Sequence, residues 1–449
     1  MPLWSILRGV LGMLLVLGIA VTFSANRRRI SWRLVGMGLL IQAVLAVFLI
    51  HGKSMGAWFA PLGWPKVLVD WAGGAVVTVL GFITAGSRFV FGSLAVSAGD
   101  DSLGFFFAFQ VLPTIIFFAS LTAVLYHLGV LQAIVRVMAT IMSRLMGTSG
   151  AESLSNSANV FIGQTEAPIL VRPYITHMTR SELLTIMVGG MATVAGGVMA
   201  SYIQLLGRAL ADAQGVPLAQ AQLMFAVHLI TASVMAAPAS LVIAKILVPE
   251  TGEPRTRGKV TLRVERESAN LLDAASSGAA DGLKLALNVG AMLIVFIAFV
   301  YMFNYILASL GELTHANAWL ESQFGGPLSL ELLLGLLLKY VAIGIGVPAA
   351  DAMAFGSLFG TKVVLNEFVA YVNLVDLIKQ GVLSEKSVIM ATYALCGFAN
   401  FSSIGIQIGG IGPMAPTRKA EIAALGLRAV LGGSLVTLLT ASLAGVLIQ

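Results

Sequence analysis

Apolar stretches of about 20 residues, each long enough to cross a bilayer, alternate with short polar breaks along the whole chain. The first covers residues 3–23 and stops at Arg27, Arg28 and Arg29; the second covers 32–50. Positive charge marks the cytoplasmic side of membrane helices, so the arginine loop is expected inside and the N-terminus outside. No small-residue cleavage pattern follows 3–23, which reads as a membrane helix and not a removed leader. Residues 51–65, with His51, Lys53, Pro61 and Pro65, read as an external loop. Residues 67–94 are amphipathic and Gly-rich, suited to the interface or to packing inside the protein. Asp100 and Asp101 mark a turn before a strong span at 104–128, and the helical stretch beyond it carries Arg136 and Arg144.

At residue 148 the pattern changes. Eight of the residues from 148 to 159 are Ser, Thr, Asn or Glu, and they lead straight into an apolar run. That run is interrupted by Gly163-Gln164-Thr165-Glu166-Ala167-Pro168. A helix through this point meets a glycine and then a proline, which removes a backbone donor and clashes with the preceding turn. Broken helices persist at membrane depth only where the freed backbone lines a cavity or contacts protein. The segment reads as a re-entrant hairpin over 152–175 and as a candidate site for a polar solute or an ion.

Downstream, Thr179-Arg180-Ser181-Glu182 caps a helix expected to run to about residue 206. Residues 207–220 read as a polar loop and 224–248 as a further span. The segment 249–283 is hydrophilic and basic at its centre (Arg255, Arg257, Lys259, Arg263, Arg266), so it is expected in the cytoplasm as a linker and interfacial helix. A span at 283–310 and an external loop at 311–326 follow. From Pro327 a second irregular block begins, with a hairpin expected over 330–378. In it Leu365-Asn366-Glu367-Phe368-Val369-Ala370-Tyr371 places a carboxylate deep in apolar surroundings. Residues 387–406 read as a span containing Phe398-Ala399-Asn400-Phe401-Ser402-Ser403, 409–418 as a turn-rich link and 422–448 as the last helix. Two Gly/Pro-interrupted segments in corresponding halves are the layout of an inverted-repeat secondary transporter.

Composition sharpens the class to an all-α polytopic membrane protein. Hydrophobic residues make up 58% and charged ones 11%, against roughly 25% charged in a soluble domain, and the mean hydropathy is +0.92. The 48 glycines suit close helix packing and broken helices. A net charge of +6 spread over scattered residues points to cytoplasmic loops and not to nucleic-acid binding. Cys396 is the single cysteine, which leaves no internal disulfide and no multi-cysteine metal site. His51, His127, His177, His228 and His315 lack zinc spacing, and His228 reads as a helix-packing residue. No HExxH, no paired Asp at metal spacing and no Ser-His-Asp elbow is present, so an enzyme is not expected.

Three motifs in order carry a resemblance: Gly163-Gln164-Thr165-Glu166-Ala167-Pro168 with Val171-Arg172-Pro173, Leu365 to Tyr371, and Cys396-Gly397-Phe398-Ala399-Asn400 with Ser402-Ser403. Together they resemble the concentrative nucleoside transporters, over about residues 35–449. The resemblance implies a homotrimer in a bacterial inner membrane. Each protomer would have about eight transmembrane helices and two re-entrant hairpins, with interfacial helices. It also implies a scaffold (1–146, 284–326) and a transport domain (147–248, 327–449) joined through 249–283, moving like an elevator. The substrates implied are nucleosides such as uridine, cytidine and adenosine.

By the same resemblance, Gln164, Thr165 and Glu166 read the base, and Glu367, Asn400 and Ser403 hold the ribose. Val198 and Phe398 wall the base. A buried carboxylate accepting from hydroxyls suits a sugar, and an amide that donates and accepts suits a base edge. Sodium, as the coupling ion, would lie at Asn159, the carbonyls of Ile162 and Val194, and Thr193, with no organic cofactor. The plainer readings stand beside these. Gln164 and Asn400 are also suited to bonding between helices, Thr165 and Ser403 to bonding their own helix, and Phe398 and Val198 to ordinary packing. Proton coupling through Glu166, a non-transporting nucleoside sensor and a membrane enzyme are the alternatives. Gln407 is polar where the family pattern leads one to expect an aliphatic residue.

Overall fold

The computed structural model describes residues 3–96, 102–258, 268–324 and 326–448. The expected turn at Asp100 and Asp101 and the linker positions Lys259, Arg263 and Arg266 lie outside the described residues. Among the described residues every regular element is helical.

The chain opens with α1 (Leu3–Thr22), capped where Arg27 Nη2 donates to the Thr22 carbonyl at 2.7 Å. Next come α2 (Trp32–Trp58) and α3 (Ala60–Phe91), so residues 51–65 are not a loop. Pro61 falls in the first turn of α3, where its missing N–H is not needed. Lys66 and Lys53 both pair with Asp70, which takes up the charge that suggested a loop. α4 (Phe107–Gln110), α5 (Leu112–His127) and α6 (Val130–Met146) follow.

α7 (Gly150–Ala158) starts at a capping box: Ser149 Oγ accepts from the Glu152 N–H, and Glu152 Oε1 accepts from the Ser149 N–H at 2.7 Å. Irregular chain then leads to a tight turn at Ala167–Val171 and to α8 (Arg172–Ile175), in the hairpin interval expected from sequence. A second capping box, Thr179 with Glu182, starts α9 (Arg180–Ala192). This helix does not run to 206. It breaks at 193–195 and resumes as α10 (Gly196–Gln214), which fills most of the expected 207–220 loop. Arg208 and Asp212, paired at 3.0 Å one turn apart, carry the helix past the end of its apolar run. α11 (Leu218–Leu247) closes the first half.

α12 (Leu271–Leu313) has 43 residues. At 1.5 Å per residue it is about 65 Å long, roughly twice the hydrocarbon thickness. It therefore takes in both the end of the hydrophilic segment and the span at 283–310. Gly278 and Gly282 let it touch the backbone of α5: a Cβ there would stand 2.8 Å from Ser120 Cα and 2.7 Å from Ile116 Cα. α13 (Ala316–Phe324) occupies the expected 311–326 loop.

The interval 330–378 holds three helices, α14 (Leu330–Gly344), α15 (Ala352–Val364) and α16 (Glu367–Lys379), not a two-armed hairpin. Its tip is the two-residue junction between α15 and α16. The expected span 387–406 is also broken, into α17 (Glu385–Leu395) and α18 (Phe401–Ile411). α19 (Lys419–Leu447) ends the described chain.

Two halves thus share one order: short helix, tip, short helix, broken helix, long helix. Corresponding caps are tied in each. Ser149, the N-cap of α7, donates to Glu182 in the first turn of α9 at 2.6 Å. Asp351, the N-cap of α15, accepts from the Ser384 N–H at 3.1 Å and from the hydroxyls of Ser384 and Ser387 at 2.5 Å, at the start of α17. The halves form an inner body. The most apolar stretch of α19 is 94% buried, against 11% for that of α12. Among the described residues, seven helical stretches are long and apolar enough to cross a membrane.

Candidate functional site

The two helix breaks and the two tips meet inside the inner body. Asn366 and Asn400 are N-caps, accepting from the N–H groups of Val369 and Ser403, so α16 and α18 begin where their neighbours α15 and α17 end. Glu367, the first residue of α16, is buried and holds a donor on each oxygen: Tyr202 Oη on Oε1 and Asn400 Nδ2 on Oε2, both at 3.0 Å. A carboxylate offers about four acceptor positions, which leaves about two for further hydroxyls.

From Glu367 a row of hydrogen bonds runs across the inner body. Asn400 Oδ1 accepts from the Ser403 N–H at 2.8 Å, and Gln164 Nε2 donates to Ser403 Oγ at 3.2 Å. Gln407 Nε2 donates to Gln164 Oε1 at 3.1 Å and to the Met187 carbonyl at 2.9 Å. The row joins tip 1, the break between α17 and α18, and tip 2. Thr165 and Glu166 stand outside it, at the exposed edge, where Thr165 Oγ1 donates to Glu166 Oε1 at 3.0 Å. Val198 lies on α10 one turn before Tyr202, buried like it, and half-buried Phe398 sits in the break before α18.

Asn159 stands at the C-terminal end of α7 and is fully buried, yet neither atom of its amide has a hydrogen-bond partner. Nearby chain is unwound on two sides. The Phe161 carbonyl accepts from the Gly196 N–H at 3.1 Å, which ties tip 1 to the break between α9 and α10. Buried Thr193 caps α9 and donates to the Gly189 carbonyl at 3.0 Å, so its oxygen keeps its lone pairs. An orphaned buried amide costs about 1–3 kcal/mol. Asn159 Oδ1 is a hard oxygen donor left without a partner inside the protein, the kind of atom a hard monovalent cation takes as a ligand.

Two residues that the motifs did not flag belong to this neighbourhood. Tyr202 holds Glu367, and its position four residues after Val198 on one helix face is the only sequence signal for it. Lys362, fully buried in α15, donates to the Ala394 carbonyl at 2.8 Å and to Thr437 Oγ1 at 2.9 Å, and so secures the end of α17 to α19. His228 packs against Tyr393 and shares a 3.2 Å hydrogen bond with its hydroxyl, in keeping with a packing role.

Comparison with known proteins places the chain. Family models for the Na+ dependent nucleoside transporter N-terminus and C-terminus match residues 11–94 and 228–445, and a nucleoside recognition model matches 108–209. An uncharacterized transporter of Haemophilus influenzae is 42% identical, covering 99% of this chain and 98% of its own. The nucleoside permease NupC of Helicobacter pylori is 37% identical and covers 99% of each chain. A solved structure of CNTnw, in an inward-facing substrate-bound state, superposes with a TM-score of 0.83 at 40% identity, covering 99% of this chain and 98% of that one. The chain is a multi-pass membrane protein of the concentrative nucleoside transporter family.

Proposed function

We propose that this protein is a sodium-coupled symporter that imports nucleosides such as uridine, cytidine and adenosine across a bacterial inner membrane. The observation that carries the reading is the buried row from Gln164 through Ser403 and Asn400 to Glu367. It puts a bidentate amide and a carboxylate at opposite ends of one polar track. A nucleoside has the same polarity of parts. Its ribose hydroxyls suit Glu367, Asn400 and Ser403, and its base edge suits Gln164, Thr165 and Glu166 between Val198 and Phe398.

Sodium is the ion that the orphaned Asn159 amide favours, with Thr193 and the carbonyls of Ile162 and Val194 completing its shell. Filling that position would brace tip 1 against the α9–α10 break and hold Gln164 in place for substrate. The contrast in burial between inner body and outer helices supports an elevator-type division. Residues 147–248 and 327–449 form the moving part, 1–146 and 284–326 the scaffold, and 249–283 the linker. The sparsely buried scaffold helix α12 supports assembly as a homotrimer, and the Arg27–Arg29 turn supports an external N-terminus.

Uptake of labelled uridine and adenosine into proteoliposomes tests the reading. It is expected to collapse when sodium is replaced by choline at constant pH. Uptake that persists without sodium and follows a pH gradient would move the coupling to a proton at Glu166.

A further inference from the structure

We propose that Gln407 is a positioning residue that sets base preference, favouring nucleobases with a carbonyl at purine C6 or pyrimidine C4 over those with an amine at that position. The inference rests on the nucleoside reading and deepens it. Gln407 lies on α18 one turn beyond Ser403 and is fully buried. Its amide orientation follows from its neighbours. The Met187 carbonyl can only accept, so the Gln407 atom 2.9 Å from it is Nε2. The other hydrogen on that nitrogen points to Gln164, 3.1 Å away, so the Gln164 atom facing it is Oε1. Gln164 Nε2 is thereby turned toward the Ser403 hydroxyl, at 3.2 Å.

A backbone carbonyl in α9 thus dictates, through Gln407, which end of the Gln164 amide faces Glu367. The near end is the N–H donor, with one hydrogen beyond that given to Ser403. The far end is the carbonyl, already engaged. A base attached to a ribose at Glu367 approaches the donor end. The carbonyl at C6 of hypoxanthine or guanine, or at C4 of uracil, accepts there, whereas the amine at the same position of adenine or cytosine sets donor against donor and leaves buried polar groups unpaired. Gly190 leaves the space for this pair of amides: a Cβ there would stand 2.8 Å from Gln164 Cβ and 3.1 Å from Gln407 Nε2. With an aliphatic residue at 407 the amide keeps only Ser403, whose hydroxyl can accept or donate, and Gln164 is free to turn to suit either kind of base.

The test measures kcat/KM for sodium-energised uptake of inosine against adenosine and uridine against cytidine, in wild type, Gln407→Leu and Gln407→Met. Wild type is expected to favour the oxo member of each pair by about tenfold, about what one unpaired buried polar group costs. In both variants the ratio is expected to fall within about twofold of unity, through gains for adenosine and cytidine, with the sodium dependence unchanged. A purely structural role for Gln407 would lower uptake of all four nucleosides together and leave the ratios alone. A wild-type ratio near one, or a preference that survives in both variants, overturns the proposal. Should neither variant transport, thermal stabilisation of the purified wild type and of both variants by the four nucleosides decides it by the same ratios. Wild type that takes up none of the four would instead sink the nucleoside reading itself.

Discussion

The two halves of the inner body share an order of elements and differ in where they keep charge. At the foot of the first half, Lys245 Nζ lies 2.7 Å from Glu152 Oε2 and 3.0 Å from Glu250 Oε2, while the tip carries the neutral, unpartnered Asn159. In the second half the foot is Asp351 held by hydroxyls and an N–H, and the tip carries the carboxylate of Glu367 with a donor on each oxygen. Repetition has copied the geometry and not the chemistry. The carboxylate of the second tip is buried, bonded in advance and has acceptor capacity to spare. That of the first tip, Glu166, is exposed, and the buried amide of Asn159 beside it is left without a partner.

The comparison is open to attack first at the feet. Lys245→Met leaves buried Glu152 and half-buried Glu250 without their cation and is expected to cost about 3–5 kcal/mol of stability. Ser387→Ala removes one of three donors from Asp351 and is expected to cost about 1 kcal/mol. Thermal unfolding of the purified proteins reads both, and equal losses would erase the distinction. Next, Glu367→Gln should cut nucleoside uptake by roughly ten- to a hundredfold, since a charge-assisted bond contributes about 1.5–3 kcal/mol. The amount of protein in the membrane should not change, and near-normal uptake would remove Glu367 from the sugar site. Asn159→Leu should raise the half-saturating sodium concentration by about tenfold with the uridine preference kept, in line with the loss of a metal-site partner. An unchanged sodium titration curve would end the idea that this tip is the one to be filled. Smallest, Tyr202→Phe frees one oxygen of Glu367 and should alter the apparent nucleoside affinity by only a few-fold, read from competition with unlabelled uridine.

Both tips were legible in the sequence: at the first, glycine, proline and a carboxylate interrupt an apolar run, and at the second Asn366 and Glu367 stand deep in apolar surroundings, where a lipid-facing helix does not carry them. The breaks in the long helices were not. Residues 180–206 and 387–406 are mostly apolar, and hydropathy registers solvent preference, not backbone continuity. The cap signal at Asn400 was present in the letters but was outvoted by its neighbours. Residues 51–65 and 207–214 failed in the opposite direction. Their charges suggested loops, yet Lys53 pairs with Asp70 on the next helix and Arg208 with Asp212 one turn on, which a pattern of polar letters does not reveal. Tyr202 and the placing of Gln407 depend on contacts between residues 165 and 243 positions apart, beyond any local pattern.

Lys362 gives the difference between the halves a kinetic meaning. Its amine is covalently tethered to α15 and donates to a carbonyl of the last turn of α17, so the second half carries the tie across its broken helix within its own chain. On the reading proposed above, the first half would take its own tie, a cation at Asn159, from solution. The salt outside would then set how firmly the first half is held, while the second half carries its tie with it.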